Sequence, residues 1–176
     1  WTRELDRALL EDEIDVAVHS MKDVETRLAD GIALGAVLPR ADPRDRLIGV
    51  ASLADLPAGA LVGTASPRRE AQLRHRRPDV QVGLLRGNVE TRLRRVEEGA
   101  FAATFLAAAG LERLSIPAGT PLAIDDWLPA AQQAVVGITC RVGDQAVTSL
   151  LAAIEDQRTR ICLDAERAFL TALGGS

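Results

Sequence analysis

Tyrosine does not occur in this chain of 176 residues, and aromatic residues make up only 3% of it. Single-stranded nucleic acid is usually held on stacking platforms, which such a composition scarcely supplies. Cysteine is nearly as scarce, with Cys140 and Cys162 the whole complement. Two cysteines so placed make neither a disulfide framework nor a metal-ligand motif, so no metal is expected and a reducing, cytoplasmic setting fits. No apolar run approaches the ~20 residues of a membrane-spanning helix. A secretory leader is not visible in the chain, and Trp1-Thr2-Arg3-Glu4-Leu5 reads as the start of an amphipathic helix. The chain opens on Trp1 without an initiator methionine, which suggests a start inside a longer protein, and Leu173-Gly174-Gly175-Ser176 reads as a helix stop followed by a cut.

Lysine is the most telling shortage. Lys22 stands alone against twenty arginines. An ammonium is a compact, strongly hydrated point charge, whereas a guanidinium is a rigid fork, so the two are not interchangeable. Lys22 lies in Val18-His19-Ser20-Met21-Lys22-Asp23, just after the apolar run Ile14–Val18, beside a carboxylate at the expected C-terminal end of a strand. In open α/β sheets that end faces the ligand crevice.

What is present points to a globular protein, 47% hydrophobic and 26% charged. Its net charge of −4 is unevenly spread: Ser66 to Arg95 holds nine arginines against Glu70, Asp79 and Glu90, a net of +6, which leaves −10 elsewhere. One basic segment in an acidic protein suggests a local anion site rather than a nucleic-acid coat.

Residues 3–12 read as an amphipathic helix, Ile14–Val18 as a short buried strand and Ile32–Leu38 as a second. Pro39–Asp45 is bracketed by prolines and predicts a crossing between domains. Strands are expected at Arg46–Val50 and Ala60–Gly63. Two strand–turn–helix units follow. In the first, Ser66 is the N-cap and Pro67 the first helical residue; in the second, Val80–Leu85 leads through Arg86-Gly87-Asn88 into a capped helix. Ala102–Leu106 and Ala107–Leu114 repeat the alternation; after the loop Pro117–Pro129 come a strand at Ala134–Val142 and helices at Asp144–Ile154 and Arg158–Ala172. The alternation argues for an α/β fold with mixed, mostly parallel sheets. With a second crossing near Leu128–Ala134, residues 1–38 and 135–152 are expected to form one domain, 45–127 another and 157–176 the start of a third.

Arg68 and Arg69 fall in the first turn of one helix, Arg86 just before another, and Arg92 a turn inside it. A helix N-terminus already favours anions, so arginine there opposes the dipole unless a carboxylate or phosphate is clamped between them. Thr64, Ser66 and the backbone of Gly87 could add donors. Arg74, Arg76, Arg77, Arg94 and Arg95 read as a solvated basic face. Asp23 differs in kind, since a carboxylate beside an anion site helps only a ligand that carries or develops positive charge. The combination suggests a polyanionic substrate with a cationic or N–H-bearing reacting centre.

Several segments, taken in order, resemble the porphobilinogen deaminase (hydroxymethylbilane synthase) family. They are Asp15-Val16-Ala17-Val18-His19-Ser20-Met21-Lys22-Asp23-Val24, Asp42-Pro43-Arg44-Asp45, Gly63-Thr64-Ala65-Ser66-Pro67-Arg68-Arg69 and Leu85-Arg86-Gly87-Asn88-Val89-Glu90-Thr91-Arg92-Leu93. Ala109-Gly110-Leu111-Glu112-Arg113-Leu114 and Ala165-Glu166-Arg167-Ala168-Phe169 complete the series. The resemblance implies a monomeric three-domain enzyme whose first two domains look like periplasmic binding proteins. It implies head-to-tail condensation of porphobilinogen into a linear tetrapyrrole with release of ammonia, primed by a dipyrromethane cofactor on a cysteine thioether, without nucleic acid or membrane. By motif match Asp23 is the catalytic carboxylate. Ser20, Lys22, Thr64, Ser66, Arg68, Arg69, Arg86, Arg92 and Arg113 would hold the acetate and propionate groups.

The chain departs from the family pattern in places. The family's N-terminal portion is absent, and its cofactor cysteine is expected just past Ser176, so the chain by itself is expected to be inactive. Cys162 precedes Ala165-Glu166-Arg167 and is not a substitute for it. Gln132-Gln133-Ala134 stands where the family has Gly-Gln-Gly, Thr139 replaces a glutamate, and Glu25 and Ala102 replace a proline and an aspartate. Two other readings are a two-domain anion receptor without turnover and a Schiff-base enzyme using Lys22; the second needs a lowered amine pKa, which the adjacent Asp23 opposes.

Overall fold

The computed structural model describes residues 2–174, so the expectations placed on Trp1, Gly175 and Ser176 lie outside it. The elements run α1 (Thr2–Leu10), β1 (Ala17–Ser20), β2 (Ile32–Val37), β3 (Asp45–Ile48), β4 (Leu61–Gly63), α2 (Pro67–Arg76) and β5 (Gln81–Gly83). They continue α3 (Val89–Glu97), β6 (Ala103–Ala107), α4 (Ala108–Arg113), β7 (Thr120–Pro121), β8 (Val136–Arg141), α5 (Gln145–Leu151) and α6 (Gln157–Ala172). Contacts divide the chain into two compact units, residues 1–41 with 131–176 and residues 42–130.

In the first unit β8 lies between β1 and β2 and is antiparallel to both. β1 starts at Ala17, not Ile14, because the backbone before it is already committed. Glu13 and Ile14 donate to the carbonyl of Ala8, closing off α1, and the carbonyl of Ile14 accepts from Arg141. The strand therefore extends to Ser20, and Met21–Asp23 form a 3-10 turn directly after it. Met21, fully buried with Val24, Val37, Val135 and Leu163, anchors that turn. Burying such a side chain stabilises by about 1.5–3 kcal/mol. Gly137 of β8 makes the seat possible, since a Cβ there would collide with the Met21 thioether.

α6 packs on this unit through buried Leu163 and Thr159. Its Glu166 pairs with Arg40 and accepts the backbone N–H of Gln132, while Arg167 donates to the Gln132 side chain at 2.8 Å. Gln132 and Ala134 are both buried and both left-handed, at φ 63° and 70°. Those are the two positions at which the resemblance noted above implies glycine. A side chain in this region costs roughly 1–2 kcal/mol.

The second unit holds a five-stranded sheet in the order β5-β4-β6-β3-β7. β4 is parallel to β5 and β6, whereas β3 is antiparallel to β6 and β7. The α/β organisation with mixed sheets is as expected, but parallel pairing is confined to these two neighbours of β4. A parallel pair needs a crossover of a dozen or more residues, and here the connections carrying α2 and α3 make those crossovers. Leu47, Val62, Leu73, Ala103, Phe105 and Trp127 form its core.

Candidate functional site

Because β4 and β5 are parallel neighbours, the helices that follow them start at the same edge of the sheet, beyond the carboxyl ends of the strands. Both starts are built as the sequence predicts. Ser66 caps α2, its Oγ accepting the Arg69 N–H at 3.4 Å, and Thr64 Oγ1 accepts the Ser66 N–H at 3.1 Å. Asn88 caps α3, its Oδ1 accepting the Thr91 N–H at 2.9 Å. Gly87, at φ 122°, makes the preceding turn; a Cβ there would also press on the Thr91 side chain. Thr64, Ser66, Arg68 and Arg69 thus gather at one helix start, and Arg86, Gly87 and Arg92 at its neighbour.

The arginines divide into two kinds. Arg69 is buried, and its Nε and Nη2 grip Asp45 at 3.1 and 2.7 Å while Nη1 donates to the Phe105 carbonyl at 2.9 Å. Arg68 donates to Asp45 at 2.8 Å and to the Leu128 carbonyl. Trp127 adds an indole N–H at 3.0 Å, and its ring stacks on Phe105 with centroids 4.6 Å apart. Arg69, expected among the ligand contacts, is therefore turned into the protein. Arg86 and Arg92 have no carboxylate partner among the described residues. Arg86 is exposed. The Nε of half-buried Arg92 donates to the Gly87 carbonyl at 2.8 Å. Burial, and then the charge of Arg69, lowers the Arg92 pKa. Arg113 lies exposed in the last turn of α4.

Asp45 is the residue that sequence reasoning missed. It is fully buried and opens β3. Burial pushes its carboxyl up, but Arg69 and then Arg68 outweigh that and hold it well below the usual carboxylate range. Asp45 closes the motif Asp42-Pro43-Arg44-Asp45, which marked the segment without giving the carboxylate a role, because its partners lie 23 and more residues away. Nor is the basic face merely solvated. Arg76 lies over the Trp127 ring at 5.6 Å, and Arg77 joins Asp79 to the carbonyls of Leu53 and Leu56. Arg74, Arg94 and Arg95 do make only surface pairs, with Glu70 and Glu98.

In the first unit Ser20, Lys22 and Asp23 are exposed along the 3-10 turn, which is fixed by the Met21 N–H donating to the Val135 carbonyl at 3.0 Å. The preceding His19 points inward, its Nε2 2.9 Å from Thr139 Oγ1; burial lowers its pKa, with Asp6 acting the other way. His19 and Thr139 line a cleft of about 370 Å³ with Asp6, Arg27 and Asp30, apart from the predicted site residues. Among the described residues, no cluster of His, Cys, Asp or Glu is suited to a metal ion, and no helix is long and apolar enough to cross a membrane.

The family model described as "Porphobilinogen deaminase, dipyromethane cofactor binding domain" matches residues 1–149. The chain belongs to the porphobilinogen deaminase family. A porphobilinogen deaminase of Sphingopyxis alaskensis is 54% identical over 181 residues, covering 99% of this chain and 58% of the relative. The chloroplastic porphobilinogen deaminase of Pisum sativum is 50% identical, covering 100% and 49%, and that of Xanthomonas axonopodis pv. citri 48%, covering 100% and 59%. The chain thus spans about half to three fifths of these relatives' length. Among solved structures, the methionine-binding protein MetQ is similar with a TM-score of 0.55 at 12% identity, covering 93% of this chain and 78% of that one. A periplasmic substrate-binding protein of an ABC transporter from Coxiella burnetii gives 0.54 at 12%, covering 92% and 79%. At such identities the likeness speaks for the fold alone: two-domain and periplasmic-binding-protein-like.

Proposed function

We propose that this chain is the substrate- and cofactor-holding part of a hydroxymethylbilane synthase, which joins porphobilinogen units head to tail with release of ammonia. The observation that carries this reading is the pair of cations Arg86 and Arg92. They stand at the start of α3, beside the Arg68–Arg69 helix start, without a carboxylate partner among the described residues. Uncompensated guanidinium groups at a helix N-terminus fit a ligand that brings its own carboxylates, gripped through paired N–H groups. The acetate and propionate arms of pyrroles are such ligands.

A dipyrromethane group fits the same donors. Arg86, Arg92 and Arg68 of the second unit would take its carboxylates; when bound, it supplies the pyrrole carbon to which new units are added. No described residue serves as its tether. Cys140 is buried in β8 and Cys162 precedes the family's attachment point. Asp23, exposed on its turn, would accept pyrrole N–H groups and stabilise positive charge that develops on the ring nitrogen. Preorganised charge of this kind, unlike charge recruited from solvent, needs no rearrangement as the reaction proceeds.

The reading includes the domain division 1–38 with 135–152, 45–127, and 157–176 as the opening of a third domain. The family order of Ala165-Glu166-Arg167 supports the last, although α6 here packs on the first unit. It also includes a monomer in a reducing, cytoplasmic compartment without nucleic-acid or membrane partners, which two free thiols fit.

Calorimetric titration with porphobilinogen tests it. The chain should take up the ligand, and Arg86→Leu should abolish most of that uptake with the fold intact. Lysine at the same place should restore only part, because a point charge lacks the fork. Equal uptake by Arg86→Leu would remove the basis of the reading.

A further inference from the structure

We propose that Asp45 is the positioning residue of the second unit's anion site: a buried carboxylate that aims arginines at the ligand without touching it. This rests on the functional reading above. Three elements converge on one side chain. β3 supplies the carboxylate, α2 supplies Arg68 and Arg69, and the segment after β7 supplies Trp127. Four donor contacts at 2.7 to 3.1 Å occupy both oxygens, so neither the carboxylate nor the guanidinium planes can turn freely. The Asp45 backbone is fixed as well, in register with Ala107 of β6 and with its carbonyl accepting the Leu122 N–H at 2.9 Å.

The charge balance gives the arrangement its meaning. One carboxylate faces two guanidinium groups, and Arg92 adds a third positive charge close enough to Arg69 to feel it. Buried charge is normally compensated. Here the compensation stops one or two charges short, and the shortfall lies at the starts of α2 and α3. Asp45 makes it possible to hold cations that close together, and its fixed position determines where the excess points. Arg68 bridges the two roles. It is anchored to Asp45 and the Leu128 carbonyl by its two terminal nitrogens, yet 22% of its side chain remains exposed.

Positioning and simple electrostatics make opposite forecasts, which allows a decision. Removing a negative charge beside an anion site should tighten binding if charge alone matters. It should weaken binding if Asp45 acts by aiming the arginines. The experiment compares the native chain, Asp45→Asn and Asp45→Glu by calorimetric titration with porphobilinogen and by the ¹⁵N spectrum of arginine Nε–H groups. The expected result is affinity lowered about tenfold or more in Asp45→Asn, since small misplacements of a binding group are costly. Asp45→Glu should recover part of it. The Arg69 Nε–H resonance, sharp and slowly exchanging in the native chain, should broaden in Asp45→Asn.

Unchanged or tighter binding by folded Asp45→Asn overturns the proposal. If the native chain binds no porphobilinogen, the functional reading fails by itself, and the Nε–H spectrum still decides whether Asp45 pins Arg69. Should Asp45→Asn not fold, Trp127→Phe replaces it, keeping an aromatic ring against Phe105 while deleting one donor to Asp45. A moved Arg69 resonance with affinity lowered about twofold or more supports the positioning role, because a lost hydrogen bond to a charged group is felt at its partners. No change in either overturns it.

Discussion

At the scale of single residues, the structure separates side chains that look alike in sequence. Arg68 and Arg69 are adjacent arginines in one motif, yet one keeps an exposed portion and the other is committed to Asp45. Sequence reasoning found the arginines because dipole and charge arguments are local. It did not find their shared partner, because a contact spanning 23 or 24 positions leaves no local trace. Asp23 is the opposite case: its surroundings are simple, and its role rests on what its charge would face. In an active full-length protein, Asp23→Asn should bind porphobilinogen yet turn over ~10²–10³ times more slowly. Single-turnover kinetics separates the two effects, and near-normal turnover would return Asp23 to an ordinary turn residue. Ala134 offers a cleaner test of backbone chemistry. At φ 70° it carries a methyl group where glycine would be relaxed. Ala134→Gly should raise stability by about 0.5–1 kcal/mol in denaturant titration, as strain relief exceeds the added freedom of the unfolded chain.

At the scale of elements, capping was the most legible feature. Ser66 and Asn88 cap helices where the sequence places them, because a short polar side chain before an apolar period has few other uses; Asp144, expected inside its helix, proves to be the cap of α5. Strand limits were less legible. β1 begins three residues late because Arg141, distant in sequence, claims the carbonyl of Ile14. Parallel pairing was overestimated for a related reason: alternation of strands and helices does not reveal that a returning strand, β8, will insert between β1 and β2. Ser66 serves both as cap and as proposed ligand contact. Since its Oγ already accepts the Arg69 N–H, Ser66→Ala should cost about 1 kcal/mol in thermal or chemical unfolding even with no ligand present. Equal stability would mean that the 3.4 Å contact contributes nothing and that the hydroxyl is held for the ligand alone.

At the scale of the molecule, the two units respond to acid at different points. The first contains His19, whose pKa burial lowers; the unfolded chain takes up a proton more readily than the folded one. Stability of that unit is therefore full above about pH 6.5, the unfolded value, and falls as pH drops below it. The second contains Asp45, held ionised by Arg69 and Arg68 against its own burial. Its contribution is intact above about pH 4 and is lost only below that. Hydrogen exchange followed from pH 7 to 4 should show amides around Met21 and Val135 losing protection first, while those of Val62 and Phe105 hold. Simultaneous loss, or loss in the second unit first, would contradict this order.

The stacking of Trp127 on Phe105 has a practical consequence. The chain has only two tryptophans, and this one is 2% exposed, with Arg76 over its ring and Asp45 at its indole nitrogen. With Trp1 replaced by Phe, light emitted near 350 nm or at shorter wavelengths would come from a single fluorophore wired to the charge network itself. A blue emission would signal the assembled second unit, a red one its opening. Capture of a carboxylate by the neighbouring arginines would then be visible as a change in colour or brightness, without any label added to the protein.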